Sequence, residues 1–336
     1  MGDHQPDLPA AQPVTDFLYA TCLVGAEKLL KAEMARRYPD LRPAFMRPGF
    51  VTFKSERGPL QVSGTFVQSA GRSLGKDEPA TRAKLPKPPF GLAVYGPGVE
   101  PQELDPLRET LTAELGATPL PELGPKAQVV DVVVLPEQHF FGVHDYDPQD
   151  LLHPGVYRPE LPPEAPSRAW LKLEEALRLS GAPVKAGQRA LELGSAPGGA
   201  AWALLSRGLS VTGVDPAQMD ERVARHPKYR HLSRSIALLE PRELPAADWI
   251  LSDMNVAPEQ TLQHVLRLLE TLRPQGVFLT LKLKDERAAR MLSADANDLS
   301  ARGFEVVGTR QLPSHRQEVL LYGLTAAAAA ASGLHR

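Results

Sequence analysis

The sequence of 336 residues contains a single cysteine, Cys22. That excludes a disulfide framework and a cysteine-rich zinc module, and it points to a reducing compartment. No uninterrupted apolar run approaches the roughly 20 residues that span a bilayer. The opening MGDHQPDLPAAQP has neither the basic start nor the apolar stretch of a signal peptide. A cytoplasmic protein with no membrane and no metal partner is the resulting expectation. A strong charge of one sign is also missing, since 38 Lys and Arg stand against 40 Asp and Glu. A uniformly basic nucleic-acid binder is therefore excluded. Apolar residues make up 43%, enough to fill real cores.

Proline (33) and glycine (26) are plentiful, and the prolines gather in connecting segments. The charge is unevenly spread. Between Lys28 and Lys87 thirteen Lys and Arg face five Asp and Glu, an excess of eight. Such a region can neutralise phosphates, although a solvated face of a mixed-charge domain has the same composition. Residues 1–14 read as a disordered lead. Strand patterns at 16–23 and 50–53 flank a helical pattern at 26–38, which suggests a small α+β unit over residues 15–145. The segment 75–91 reads as a basic, proline-rich loop. Strand patterns follow at 92–95, 128–135 (QVVDVVVL, rich in β-branched residues) and 139–143, with a helix at 101–115. Residues 146–166 carry six prolines and read as an inter-domain linker. Residues 167–325 form the second domain, and 326–336 an alanine-rich tail.

The second half alternates strand and helix. Strands are expected at 189–193, 209–214, 247–252 and 276–281, with a final pair at 304–307 and 318–322. Helices are expected at 200–207 and at 258–272, where Leu262, Val265, Leu266 and Leu269 have helical spacing. This alternation specifies a parallel sheet covered by helices. The first of these strands runs into Gly194-Ser195-Ala196-Pro197-Gly198-Gly199 and then a helix. Glycines admit close backbone approach and positive φ, and a helix N-terminus accepts an anion or carboxylate. The next strand ends in Asp215, placed to accept both hydroxyls of an adenosine ribose. A dinucleotide fold wants G-x-G-x-x-G. The ELGSAPGG found here has instead the Ala-Pro-Gly-Gly form characteristic of methyltransferases that bind S-adenosylmethionine.

Four charged residues stand at positions suited to chemistry. Asp253 ends the strand 247–252, and the carboxyl ends of strands face the ligand crevice of an open α/β sheet. Lys282 ends the apolar strand 276–281, where a lysine is costly unless paired or functional. Lys172 lies in the helix before the first strand, and Glu318 opens the last one. Each has a bland reading: a solvated helix lysine, an edge charge, a simple ion pair. The combination in this order is harder to dismiss.

The segments 165–176 (APSRAWLKLEEA), 193–199 (LGSAPGG), 252–254 (SDM), 281–283 (LKL) and 315–319 (HRQEV) together resemble the FtsJ-type ribose 2′-O-methyltransferases. The likeness is closest to the RlmM branch, which methylates a cytidine ribose in large-subunit ribosomal RNA. The resemblance implies a Rossmann-like methyltransferase with a seven-stranded sheet and S-adenosylmethionine as cofactor. It further implies RNA, ribosomal in origin, as partner. Lys172, Asp253, Lys282 and Glu318 then form the catalytic tetrad. Gly194, Ser195, Ala196, Pro197, Gly198, Gly199, Asp215 and Asp253 hold the cofactor. Residues 15–145 resemble, weakly, the ferredoxin-like and THUMP RNA-binding region of that branch. One departure stands out: family members often place an acid after the third strand to hold the adenine amine, and this chain offers Ser235.

On this reading a ribose 2′-oxygen attacks the sulfonium methyl, and Lys282 is the candidate base. A lysine amine with a pKa near ~10.4 is mostly protonated at neutral pH. A second cation at Lys172 and partial burial lower that value, while Asp253 and Glu318 raise it. The sequence leaves that balance open. Two other functions fit parts of the pattern: a small-molecule O-methyltransferase, and a non-catalytic RNA-binding protein with a methyltransferase fold.

Overall fold

The structure, a computed structural model, describes residues 16–56, 61–283 and 286–332. The expected lead at 1–14, Lys284 and the end of the tail lie outside the described residues. The chain divides into two compact units. One is built on the residues up to Gly64 with Ser69–Asp147, the other on Thr65–Gln68 with Pro148 onward.

The first unit is β-rich. Its strands are β1 Asp16–Thr21, β2 Leu41–Arg47, β3 Phe50–Ser55, β4 Ser69–Lys76, β5 Gly91–Tyr95, β6 Gln128–Leu135 and β7 Gln138–Asp145. They form one sheet in the order β2-β3-β1-β4-β7-β6-β5, antiparallel except for the β5–β6 pair. The helices are α1 Glu27–Arg37, the short α2 Pro79–Arg82, and α3 Asp105–Leu115. The valine run of β6 shows why this sheet holds. Val130 and Val132 pack with Phe141 and with Leu111 of α3, whereas Val129 and Val133 pack on the opposite face with Tyr19 and Phe50. Both faces are covered, so the strand reads as a continuous apolar run. Two strands were not expected. β2 (LRPAFMR) is an edge strand that tolerates Pro43, and β4 (SAGRSLGK) has no β-branched residue at all.

The second unit is α/β and Rossmann-like. Its strands are β8 Arg189–Leu193, β9 Ser210–Val214, β10 Tyr229–Leu232, β11 Trp249–Ser252, β12 Gly276–Lys282, β13 Phe304–Arg310 and β14 Glu318–Thr325. Its helices are α4 Ala169–Ser180, α5 Gly199–Ser206, α6 Glu221–Ala224, α7 Pro258–Leu272, α8 Glu286–Ser300 and α9 Ala326–Ala331. The expected seven-stranded sheet is present in the order β10-β9-β8-β11-β12-β14-β13. β8 to β12 run parallel, and β14 is antiparallel to both its neighbours. Succession runs outward from β8 in one direction and from β11 in the other. A crevice therefore opens at their carboxyl ends, the switch point of such sheets.

The short polar β10 (YRHL) and helix α8 went unread in the sequence. In α7 the buried apolar positions are Leu262, Val265, Leu268 and Leu269, with Leu268 in place of the expected Leu266. The proline-rich segment 146–166 has no helix or strand. From Pro148 onward, however, it groups with the second unit, and Leu152 and Tyr157 are buried in that unit's core. Thr65–Gln68 also belongs to this unit. Gln311 N–H donates to Thr65 O at 2.7 Å, the Thr65 and Thr309 hydroxyls lie 2.7 Å apart, and Gln68 Nε2 donates to Gln311 O at 2.6 Å. No helix among the described residues is long and apolar enough to cross a membrane.

Candidate active site

The ends of β8 and β11 lie side by side, with Leu193 opposite Ser252. Asp253 N–H extends the pairing by donating to Leu193 O at 3.0 Å. The sequence that follows β8 must turn sharply away, and Gly194 does so with φ +76°. A Cβ at Gly194 would sit 2.9 Å from Met254 Cα, so only glycine fits against the Ser252-Asp253-Met254 turn. Gly198 has φ +113°, and its Cβ would meet Val223 Cγ2 at 2.8 Å and Met219 Cε at 3.0 Å. The crowding at both glycines comes from protein neighbours.

Ala196-Pro197 completes the turn, and Gly199 begins α5. Ser195 is buried, its hydroxyl 3.1 Å from Tyr229 OH. Asp215, just beyond β9, accepts Ala196 N–H on Oδ2 at 3.1 Å and Ala217 N–H on Oδ1 at 2.8 Å. Each of its oxygens keeps a further lone pair. Ser235 caps a short turn by accepting Ala237 N–H at 3.3 Å. A cleft of about 390 Å³ opens beside Asp215, lined among others by Ala217, Met219, His231 and Ser233.

The four charged residues singled out in the sequence converge. Lys172 Nζ lies 2.9 Å from Asp253 Oδ2 and 2.9 Å from Glu318 Oε2. Lys282 Nζ lies 3.0 Å from Asp253 Oδ1 and 2.6 Å from Glu318 Oε1. Each carboxylate thus gives one oxygen to each lysine, and the four side chains close a ring. The sheet register sets half of it, since Lys282 and Glu318 are direct partners across β12 and β14. Helix α4 supplies Lys172 from above the strand ends. All four side chains are at most 20% exposed, so their interactions are only weakly screened.

In the ring the two anions outweigh burial at Lys282. Burial by itself lowers the Lys282 pKa, yet Asp253 and Glu318 more than offset it and hold the ammonium above the usual lysine range. Burial likewise works to raise the Glu318 carboxyl, and the bonds from both lysines bring it down to about 2. Nearby His315 is pushed down to about 3, chiefly by burial, so the ring gains no third cation from it. A lysine ammonium has three hydrogens. Both lysines spend two on the ring, which leaves one each for a substrate atom.

Several buried carboxyls were missed in the sequence, among them Glu192 and Glu175. Glu192 of β8 accepts Ala201 N–H, and burial, followed by the charges of Asp253 and Asp215, pushes it well above the usual carboxylate range. A charged residue in the apolar strand RALEL was the available signal. Glu175 of α4 is fully buried and the adjacent Glu174 is buried as well, but two successive charged residues in a helix read in the sequence as a solvated face.

Residues 165–318 match the model of the FtsJ-like methyltransferase family. Ribosomal RNA large subunit methyltransferase M of Azotobacter vinelandii is 35% identical over 200 residues, covering 54% of this chain and 54% of that protein. The protein of the same description from Laribacter hongkongensis is 34% identical over 180 residues, covering 50% of each. That from Pseudomonas fluorescens is 32% identical over 234 residues, covering 64% of this chain and 62% of the relative. The chain spans about half the length of the first of these curated relatives. The ring and the glycine turn both lie within the segment of the second unit that matches the FtsJ-like methyltransferase model.

Proposed function

We propose that this chain is an S-adenosylmethionine-dependent RNA 2′-O-ribose methyltransferase acting on large-subunit ribosomal RNA in the cytoplasm. The observation that carries the reading is the closed Lys172–Asp253–Lys282–Glu318 ring at the switch point of the sheet. The description of its relatives as large-subunit ribosomal RNA methyltransferases supports the substrate. The glycine turn 194–199, the open lone pairs of Asp215 and the adjoining cleft fit the cofactor. Asp253 and Ser235 border that region in this reading. When bound, S-adenosylmethionine supplies a methyl group on a sulfonium, already activated toward displacement.

The chain's own residues then have two tasks. The free hydrogen of Lys172 orients the ribose 2′-oxygen, and Lys282, once it has released its own third hydrogen to solvent, takes the 2′-hydroxyl proton on the lone pair so freed. Orientation of reacting groups is the larger contribution when the electrophile is pre-activated. Lys282 rests as an ammonium, so only the small deprotonated fraction can act as base. Its raised pKa fixes the sign: the rate should climb about tenfold per pH unit through neutral and mildly alkaline pH, flattening only above the lysine pKa. In Glu318→Gln one of the charges that raise this pKa is gone. The rising limb should move to lower pH in a pH–rate series at saturating substrate. A pH-independent rate from pH 7 to 9 contradicts Lys282 as base.

The decisive experiment incubates the full chain with methyl-labelled S-adenosylmethionine and ribosomal RNA, then maps ribose methylation. Label at a single 2′-oxygen of the large-subunit RNA is expected, and label on a base or none at all overturns the reading. The first unit, with THUMP-like residues 15–145 joined through 146–166 to the catalytic part, is read as the RNA-binding half. The excess of eight positive charges between Lys28 and Lys87 motivates this. If about six of those cations meet phosphates, RNA affinity of the full chain should fall about a thousandfold between ~50 and ~200 mM salt. A salt-independent affinity in filter binding removes this role.

A further inference from the structure

Glu175 lies one helical turn beyond Lys172 on α4 and is fully buried. It meets no cation. Its Oε2 accepts both Ser314 N–H at 2.9 Å and the Ser314 hydroxyl at 2.7 Å, and its Oε1 accepts the Tyr157 hydroxyl at 3.1 Å. Ser314 stands four residues before Glu318, in the loop between β13 and β14. Arg168, one turn before Lys172, donates to Ser314 O at 2.9 Å. The helix that supplies one cation of the ring and the loop that leads to one of its anions are therefore fastened together at Ser314, outside the ring. From these contacts we propose that Glu175, acting through Ser314, is a positioning residue that fixes the distance between Lys172 and Glu318 and so keeps the ring closed. The proposal rests on the methyltransferase reading above.

A buried carboxylate holding three donors resists being pulled from them, because each lost bond leaves an unsatisfied buried group. The loop cannot drift from α4 without breaking that set. If it did, Glu318 would move off Lys172 and Lys282 would lose part of the field that holds its proton. A carboxylate that only stabilised the fold would leave the Lys282 titration alone. The link to Tyr157 extends the fastening to the proline-rich segment, whose Leu152 and Tyr157 are buried in the same core.

The test uses the full chain and three variants: Glu175→Ala, Glu175→Gln and Ser314→Ala. Glutamine can turn its oxygen to Ser314 and its amide to the Tyr157 hydroxyl, so it should restore most of the function. Two readouts are taken. One is methyl transfer to ribosomal RNA, with kcat and the Kd for S-adenosylmethionine measured separately. The other needs neither cofactor nor RNA: the pH dependence of acetylation of Lys282 by acetic anhydride, followed by peptide mass spectrometry. Glu175→Ala should lower kcat by about tenfold to a hundredfold, the scale of an ångström-sized misplacement. Its cofactor Kd should stay within a few-fold, and Lys282 should become reactive at lower pH. Ser314→Ala, which keeps the backbone bond, should lie between this and the wild type. If Glu175→Ala does not fold, Ser314→Ala against Glu175→Gln carries the same comparison. Unchanged Lys282 reactivity and unchanged kcat in folded Ser314→Ala and Glu175→Ala overturn the positioning role, even if their melting temperature falls. Absence of RNA methylation by the wild type instead sinks the methyltransferase reading, and the lysine titration still decides whether Glu175 holds the ring.

Discussion

Lys282→Ala is expected to stop methyl transfer to RNA, with a loss of about 10² to 10⁴ in rate, while affinity for S-adenosylmethionine stays within a few-fold. The argument is positional. Lys282 ends β12, and among the described residues its Nζ donates to Asp253 and Glu318. Among the described residues none of its hydrogen bonds or ion pairs reaches the 194–199 turn or Asp215, so the binding of the cofactor should lose nothing directly. The variant leaves two carboxylates facing Lys172 alone, but at 15–20% exposure water can enter the space. The fold should therefore survive, and circular dichroism checks that it does. Label transfer from a methyl-labelled donor measures the rate. Lys284, two residues on, should tolerate alanine far better. An active Lys282→Ala beside an inactive Lys284→Ala would relocate the base, and full activity in both would take lysine out of the mechanism.

Gly198→Val should be a folding defect before it is a binding defect. The position carries φ +113° and a Cβ there would press on Val223, itself fully buried, and on Met219. Strained backbone of this kind costs about 1–3 kcal/mol for a non-glycine residue, and forcing side chains into a filled core adds ~1–3 kcal/mol. Together these come to about 2–6 kcal/mol, a large share of the roughly 5–15 kcal/mol stability of a domain. A fall in melting temperature should be visible with no cofactor present, and Gly198→Ala should show part of it. The sequence alone suggested that this glycine makes room for a ligand. A valine variant with unchanged melting temperature and lost S-adenosylmethionine binding would restore that explanation.

The difference between those two residues shows what was legible in the sequence. Lys282 could be found because a charged residue terminates a run of buried apolar ones, and Asp253 for the same reason on the adjacent strand. Strand ends are one-dimensional features. The direction in which a side chain points out of a turn is not. Ser195, in the middle of the glycine turn, faces inward to Tyr229, and Gly198 faces α6. The valine-rich β6 announced itself, whereas β4, built from Gly, Ser, Arg and Leu, takes its strand character from its partners β1 and β7. Glu175 was invisible because SRAWLKLEEALRL gives two adjacent glutamates the look of a wet helix face. Both are buried in the fold, and Ser314, arriving from 139 positions away, supplies the hydrogen bonds that satisfy Glu175.

The segment Thr65–Gln68 has a consequence for how the molecule is made. Its hydroxyl contact with Thr309 joins residues 244 positions apart. During synthesis these four residues leave the ribosome more than 240 residues before their partners at 309–311. The second unit therefore cannot be finished co-translationally piece by piece. Its final edge waits for a segment released long before, and closing so long a loop carries an entropic cost. A gene cut at residue 148 would divide the second unit: the downstream product would lack Thr65 and Gln68, which bond Thr309 and Gln311, and the upstream product would carry those two residues without them.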